Sequence, residues 1–269
     1  MNALNFVPVW TLILGAGIFF YVLLDGFDLG VGMLYNFMPD TRSRHLVMNA
    51  IAPVWDGNET WLVMGGVALL AAFPLAFAIL IPALYFPILV MLLALVFRGV
   101  AFEFRFRDAG HKTFWDHGFF YGSLIATLAQ GMMLGAFIQG FKVEGRVFAG
   151  GPLDFLTPFS VLTGIALVFG YALLGAGWLV LKTEDDIQAR ARRYGRVCLA
   201  GLSAPRCAVP RSAAARAPRT RCLCAKSVRD PAFRFGRGRD ASYLAPPAQI
   251  RTCGFPAYGS HLGWLTAKR

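Results

Sequence analysis

In this chain of 269 residues, 57% are hydrophobic and the mean hydropathy is +0.54, values above those of a soluble domain, so the bilayer is the solvent to test first. The net charge of +11 belongs to one part of the chain: residues 1–200 hold 13 Lys and Arg against 13 Asp and Glu, whereas residues 201–269 hold the other 13 basic residues against Asp230 and Asp240. Cys198, Cys207, Cys222, Cys224 and Cys253 lie at or beyond the same boundary, and their odd number and irregular spacing point to neither a disulfide framework nor a zinc site.

Five long apolar stretches follow in chain order, at 7–37, 47–73, 75–97, 118–141 and 159–181. Each reaches the ~20 residues that a helix needs to cross the hydrocarbon layer. The short alternating segments of a membrane barrel are absent, and helices satisfy their own backbone groups. The predicted fold is therefore all-α, a polytopic transmembrane helical bundle. Residues 1–146 form a first four-helix bundle, and 147–202 hold a fifth span and the abortive start of a sixth at 194–202, ended by Pro205, Arg206 and Pro210. Residues 203–269 form a basic Arg/Pro/Ala-rich tail expected to be disordered or non-native. The first stretch is too long, and too acidic at its end, for a cleaved signal peptide.

Basic residues set the orientation. Arg42 and Arg44 follow the first span, Arg98, Arg105, Arg107 and Lys112 the third, and Lys182, Arg190, Arg192, Arg193 and Arg196 the fifth; only Lys142 and Arg146 fall on the other side. The positive-inside rule places these odd-numbered loops in the cytoplasm and the N-terminus outside.

Ionisable residues within the spans are few. Asp25 and Asp28 in the first span, and Asp56 and Glu59 in the second, are each spaced i, i+3 and so share a helix face. The two spans run antiparallel, which predicts that Asp28 and Asp56 face one another at roughly 10–15 Å depth. Arg98, at the cytoplasmic end of the third span, and Glu103 just beyond it are expected to join them. An ion buried alone there costs several kcal/mol, so the acids should face inward, pair with Arg98 or hold a proton. One reading is a structural ion-pair network; the other is a proton path from the cytoplasm. Gly26-x-x-x-Gly30 and Gly131-x-x-x-Gly135 have the spacing of close helix contacts, Gly57 sits beside Asp56, and Trp55 and Trp61 read as packing aromatics.

Three segments carry a family resemblance: DGFDLGVGM at 25–33, NAIAPVWDGNETWL at 49–62 and FRGVAFEFR at 97–105. Together they resemble the signature segments of subunit II of cytochrome bd-type quinol oxidases, in wording closest to the cyanide-insensitive branch, over about residues 5–198. The resemblance implies eight transmembrane helices in two four-helix bundles within the bacterial inner membrane. It also implies a partner, the haem-bearing subunit I, which holds b-type and d-type haems and oxidises quinol while reducing dioxygen to water. Subunit II would supply assembly, scaffolding and a route for cytoplasmic protons, with no catalytic residue of its own. The residues carried over are Asp28, Trp55, Asp56, Arg98 and Glu103, the last standing where the family typically has Asp.

No haem ligand or other metal site is expected in this chain. His45, His111 and His117 fall in or beside loops, His261 lies in the tail, and Met64, Met91, Met132 and Met133 read as packing residues. The expected partners are subunit I, the lipid bilayer and quinol, with no nucleic acid. Phe19-x-Tyr21-x-Leu23-Leu24 recurs as Phe169-x-Tyr171-x-Leu173-Leu174, an echo of two bundles in which Gly175 and Trp178 replace Asp25 and Asp28. The tail, with eleven Arg but only Lys226 and Lys268, reads as a GC-rich frame displaced near codon 200; a true basic tail drawn to anionic lipid headgroups or nucleic acid is the competing account. Two other functions stand beside the oxidase: a proton-coupled membrane transporter, built on discontinuous helices, and a non-functional truncated product.

Overall fold

The computed structural model describes residues 6–108 and 110–208, with side chains to 203. Among the described residues there are eight helices: α1 (Val7–Tyr35), α2 (Thr41–Asn49), α3 (Trp55–Ala72), α4 (Pro74–Ala83), α5 (Tyr85–Arg107), α6 (Lys112–Gln139), α7 (Pro158–Lys182) and α8 (Asp185–Ala208). A two-stranded hairpin, β1 (Val143–Glu144) and β2 (Val147–Phe148), joins α6 to α7.

Local chemistry sets the boundaries. Pro8 lies in the first turn of α1, where its missing N–H would be unpaired in any case. Asp40 caps α2 by accepting from Ser43 N at 3.1 Å, and Thr157 and Ser160 form a reciprocal capping box on α7. Phe73, held out of the helical region by the following Pro74, separates α3 from α4. The α4–α5 boundary falls at Leu84, because Pro87 has no N–H to offer the Ala83 carbonyl and its ring crowds that oxygen. Gly140, at φ +80°, turns the chain out of α6.

α1 packs on α3, α6 and α7, chiefly through its C-terminal half; α5 packs on α6, α6 on α7, and α7 on α8. Two helix pairs approach unusually closely. A Cβ on Gly30 would sit 1.9 Å from the Tyr171 carbonyl oxygen, one on Gly175 2.3 Å from the Gly30 backbone, and one on Gly135 2.5 Å from the Ser160 Cα. Such contacts need small residues, and they bring α7 against both α1 and α6. The outer surface is apolar, with Leu12, Val63, Val67, Leu93 and Ile138 exposed, as suits helices bathed in hydrocarbon. Among the described residues, α1, α5, α6 and α7 are long and apolar enough to cross a membrane.

Three boundaries differ from the sequence expectation. The stretch 47–73 is not one helix: Val47–Asn49 close α2, a turn follows, and α3 begins only at Trp55. The third span shifts from 75–97 to Tyr85–Arg107, since Pro82 and Pro87 bracket a break at Leu84, and this moves Arg98 from the span's end, and Arg105 from a loop, to the buried side of a helix. α8 starts at Asp185, nine residues before the expected sixth helix, and runs through Pro205 to Ala208. The expected disorder of the tail falls, from residue 209 onward, outside the described residues.

Candidate functional site: a buried arginine among carboxylates

α1 presents Asp25 and Asp28 inward because both lie on the face that packs against α3, α6 and α7; each residue is fully buried. α5 contributes Arg98, whose side chain is 1% exposed. Arg98 Nη1 lies 3.6 Å from Asp25 Oδ1 and 3.9 Å from Glu59 Oε2. These are ion contacts longer than a hydrogen bond, and neither the Asp25 oxygens nor the Arg98 nitrogens make a hydrogen bond within the described residues. The guanidinium is flanked by aromatic faces instead, its Cζ lying 6.0 Å from the Trp55 ring and 5.9 Å from Phe119. One cation thus faces more than one acid inside the bundle, an arrangement whose balance depends on where protons reside.

Asp28 is held differently. Asn58 Nδ2 donates to Asp28 Oδ2 at 2.7 Å, so the partner of Asp28 on α3 is Asn58 and not Asp56. Asp56 points outward and is exposed, on a face shared with Val63, Val67 and Leu70 at helical spacings of 7, 11 and 14 residues. The expected face-to-face Asp28–Asp56 pair is therefore corrected: α3 begins at Trp55, and its rotation turns Asn58 inward and leaves Glu59 at the edge with 26% of its side chain exposed. Glu103 is also exposed on α5, away from Arg98, because five residues along a helix turn it to the opposite side. Trp55 packs on Phe102 with ring centroids 5.1 Å apart. Gly26 and Gly30 lie against α7, whereas Gly57 has open space around it.

Two groupings have no counterpart in the sequence reading. Gln130 Nε2 donates to Tyr21 Oη at 2.6 Å, and Tyr171 Oη donates to Gln130 Oε1 at 3.1 Å. Tyr21 lies one turn before Asp25 on the same face of α1, so this buried chain extends the polar interior to α6 and α7. The echoed tyrosines, Tyr21 and Tyr171, thus meet at one glutamine. A lone Gln within an apolar span is the signal that would have found it.

The second grouping lies at the end where α1 stops. Asp116 accepts from Tyr35 Oη at 2.6 Å, from Arg44 Nη1 at 2.8 Å and from Arg105 Nε. Arg105 is 1% exposed, and Arg105 Nη1 lies 3.4 Å from His45 Nδ1. The network ties α2, α5 and α6 to the last turn of α1. Sequence reasoning missed it because the placement of the spans left Arg105 and Asp116 in a loop. Trp178 adds a further tie, stacking on Phe27 at 4.2 Å and donating from Nε1 to the Ala50 carbonyl at 3.1 Å. The described histidines stay at this same end: His45 is half-buried, and His111 and His117 are exposed.

Known proteins resemble part of this sequence. The family profile described as Cytochrome bd terminal oxidase subunit II matches residues 7–216. The chain is 34% identical over 197 residues to cytochrome bd-I ubiquinol oxidase subunit 2 of Escherichia coli (strain K12), covering 70% of this chain and 52% of that protein. It is 34% identical over 200 residues to cytochrome bd ubiquinol oxidase subunit 2 of Bacillus subtilis (strain 168), covering 73% and 58%. A probable cytochrome oxidase subunit 2 of Haemophilus influenzae matches at 32% over 196 residues, covering 70% and 52%. The chain spans about half the length of the curated relatives it matches. With the profile covering most of the chain, and with motif residues Asp25, Asp28, Trp55 and Arg98 gathered in one interior, the chain belongs to the cytochrome bd terminal oxidase subunit II family.

Proposed function

We propose that the chain serves as the haem-free subunit II of a membrane quinol oxidase that reduces dioxygen to water, and that its buried carboxylates pass cytoplasmic protons toward haems held by subunit I. The carrying observation is the Arg98 cluster: a guanidinium 1% exposed, with Asp25 and Glu59 within 4 Å. If all the acids were ionised, negative charge would exceed positive in a medium that solvates neither, so a proton is kept among them. Asn58 orients Asp28, while Arg98 moderates the negative field without locking a carboxylate into a short hydrogen bond.

The route runs from the end where α1 stops, taken as cytoplasmic because the helix-terminal residues Arg42, Arg107, Lys112 and Lys182 gather there. It passes Asp28 and Asp25, reaches Glu59 at the edge of the bundle, and leaves at Asp56 on the exposed face of α3. An acid at the end of an otherwise apolar face suits a surface covered by subunit I, which would receive the proton. The haem chemistry is assigned to the partner on the family likeness, with the described histidines lying at the end where α1 stops. The oxidase reading is preferred to the transporter because the chain belongs to the subunit II family.

The test is co-expression with subunit I, comparing the unaltered chain with Asp56→Asn and Glu59→Gln. Both variants should retain haem and lose at least about tenfold in quinol oxidase rate and in proton uptake by proteoliposomes. Full activity in both would sink the proton route. Failure of the unaltered chain to yield a haem-loaded complex would make it the inactive product.

A further inference from the structure

α1, α6, α7 and α8 enclose a cleft of about 660 Å³ that the proton route does not use. Its walls are apolar, formed by Met33, Leu34, Leu124, Val168 and Ala172, with Phe37 and Phe120 at the rim. Its mouth carries Arg190 and Arg193, one helical turn apart on the face of α8 that also bears Tyr194 and Val197. No acid lines the cleft, and neither arginine forms an ion pair among the described residues. The neighbouring Arg192 turns away and donates to Gln188 instead.

The depth of this mouth is informative. Phe37 follows the last turn of α1, and α8 has just begun, so the arginines stand where the bundle leaves the hydrocarbon, alongside Arg42, Arg107, Lys112 and Lys182. From there the apolar walls run back along the helices. A ligand that fits has an anionic head at the interface and a hydrocarbon tail along the walls. The chain's own residues 201–269 are poorly suited to this place, since their 13 basic residues against two acids would repel the mouth.

We propose that this cleft holds one anionic phospholipid of the adjoining leaflet, an acyl chain lying on Met33, Leu124 and Val168 and the phosphate between Arg190 and Arg193. Basic pockets between membrane helices at the interface recognise such headgroups, each cation adding about fivefold in affinity, so two predict about a twenty-fivefold preference over a zwitterionic lipid with the same tails.

The experiment reconstitutes the full-length chain in nanodiscs of phosphatidylcholine containing a minority of phosphatidylglycerol and reads retained lipid by native mass spectrometry. Phosphatidylglycerol should be enriched about twenty-fivefold. Arg190→Gln with Arg193→Gln should bring the ratio close to that of the disc, Arg190→Lys with Arg193→Lys should preserve it, and Val197→Trp, which fills the cleft, should lower retention of both lipids. These surface positions leave the buried packing untouched, and unchanged helical circular dichroism verifies it. Equal retention of the two lipids by the unaltered chain overturns the proposal, as does an enrichment that survives the double glutamine variant. Inorganic phosphate retained in place of lipid, or a protein segment found in the cleft, would equally overturn it.

Discussion

Replacing Arg98 by glutamine tests the physical core of the site. Arg98 Nη1 lies 3.6 Å from Asp25 and 3.9 Å from Glu59, and at an effective dielectric of about 20 each contact corresponds to about 4–5 kcal/mol of attraction. Much of that offsets the cost of taking the ions out of water, so the pair adds little net stability over an apolar isostere. Removing one member is different, because the desolvation of the remaining carboxylates is then uncompensated, at a cost of about 3–5 kcal/mol. Arg98→Gln should therefore lower the Tm of the full-length chain in detergent by about 10 °C, read from tryptophan fluorescence. Adding Asp25→Asn removes the stranded charge and should restore most of the loss, with a coupling of about 2 kcal/mol between the two substitutions. A single variant that melts within a degree of the unaltered chain, or a double variant no better than Arg98→Gln, would show that these groups do not balance one another.

Gly30→Ala places a methyl 1.9 Å from the Tyr171 carbonyl oxygen, so α1 and α7 must part, at about 1–3 kcal/mol; Gly57→Ala meets nothing and should be neutral or slightly stabilising through helix propensity. Parallel thermal melts distinguish them, and equal melts would contradict the packing. His45 supplies a pH dependence: burial first, then the nearby Arg105 and Lys112, hold its imidazole below the usual value, with Asp116 opposing. A lowered folded-state pKa means that this contribution is complete above about pH 6.5 and is lost as the pH falls through the lowered value. The unaltered chain should lose more stability than His45→Gln between pH 7 and 5, and identical pH profiles would refute the assignment.

Composition and patterning determined the membrane, the helical class and the candidate acids, because a bilayer admits few solutions and its penalty on charge makes every intramembrane acid conspicuous. The family motifs were equally legible, since each is contiguous. Helix phase was not. Asp56 and Asn58 differ by two positions, about 200° around α3, and only the start of that helix at Trp55 decided that the amide and not the acid meets Asp28. Likewise, apolar runs do not reveal where prolines break them, so Arg105 read as a loop charge until the break at Leu84 moved it inside. The Tyr21–Gln130–Tyr171 chain and the Asp116 network join residues up to 109 positions apart. Composition gives no hint of such pairings, because they arise from which helix faces come together, and that is set by the small residues that let α7 lie against α1 and α6.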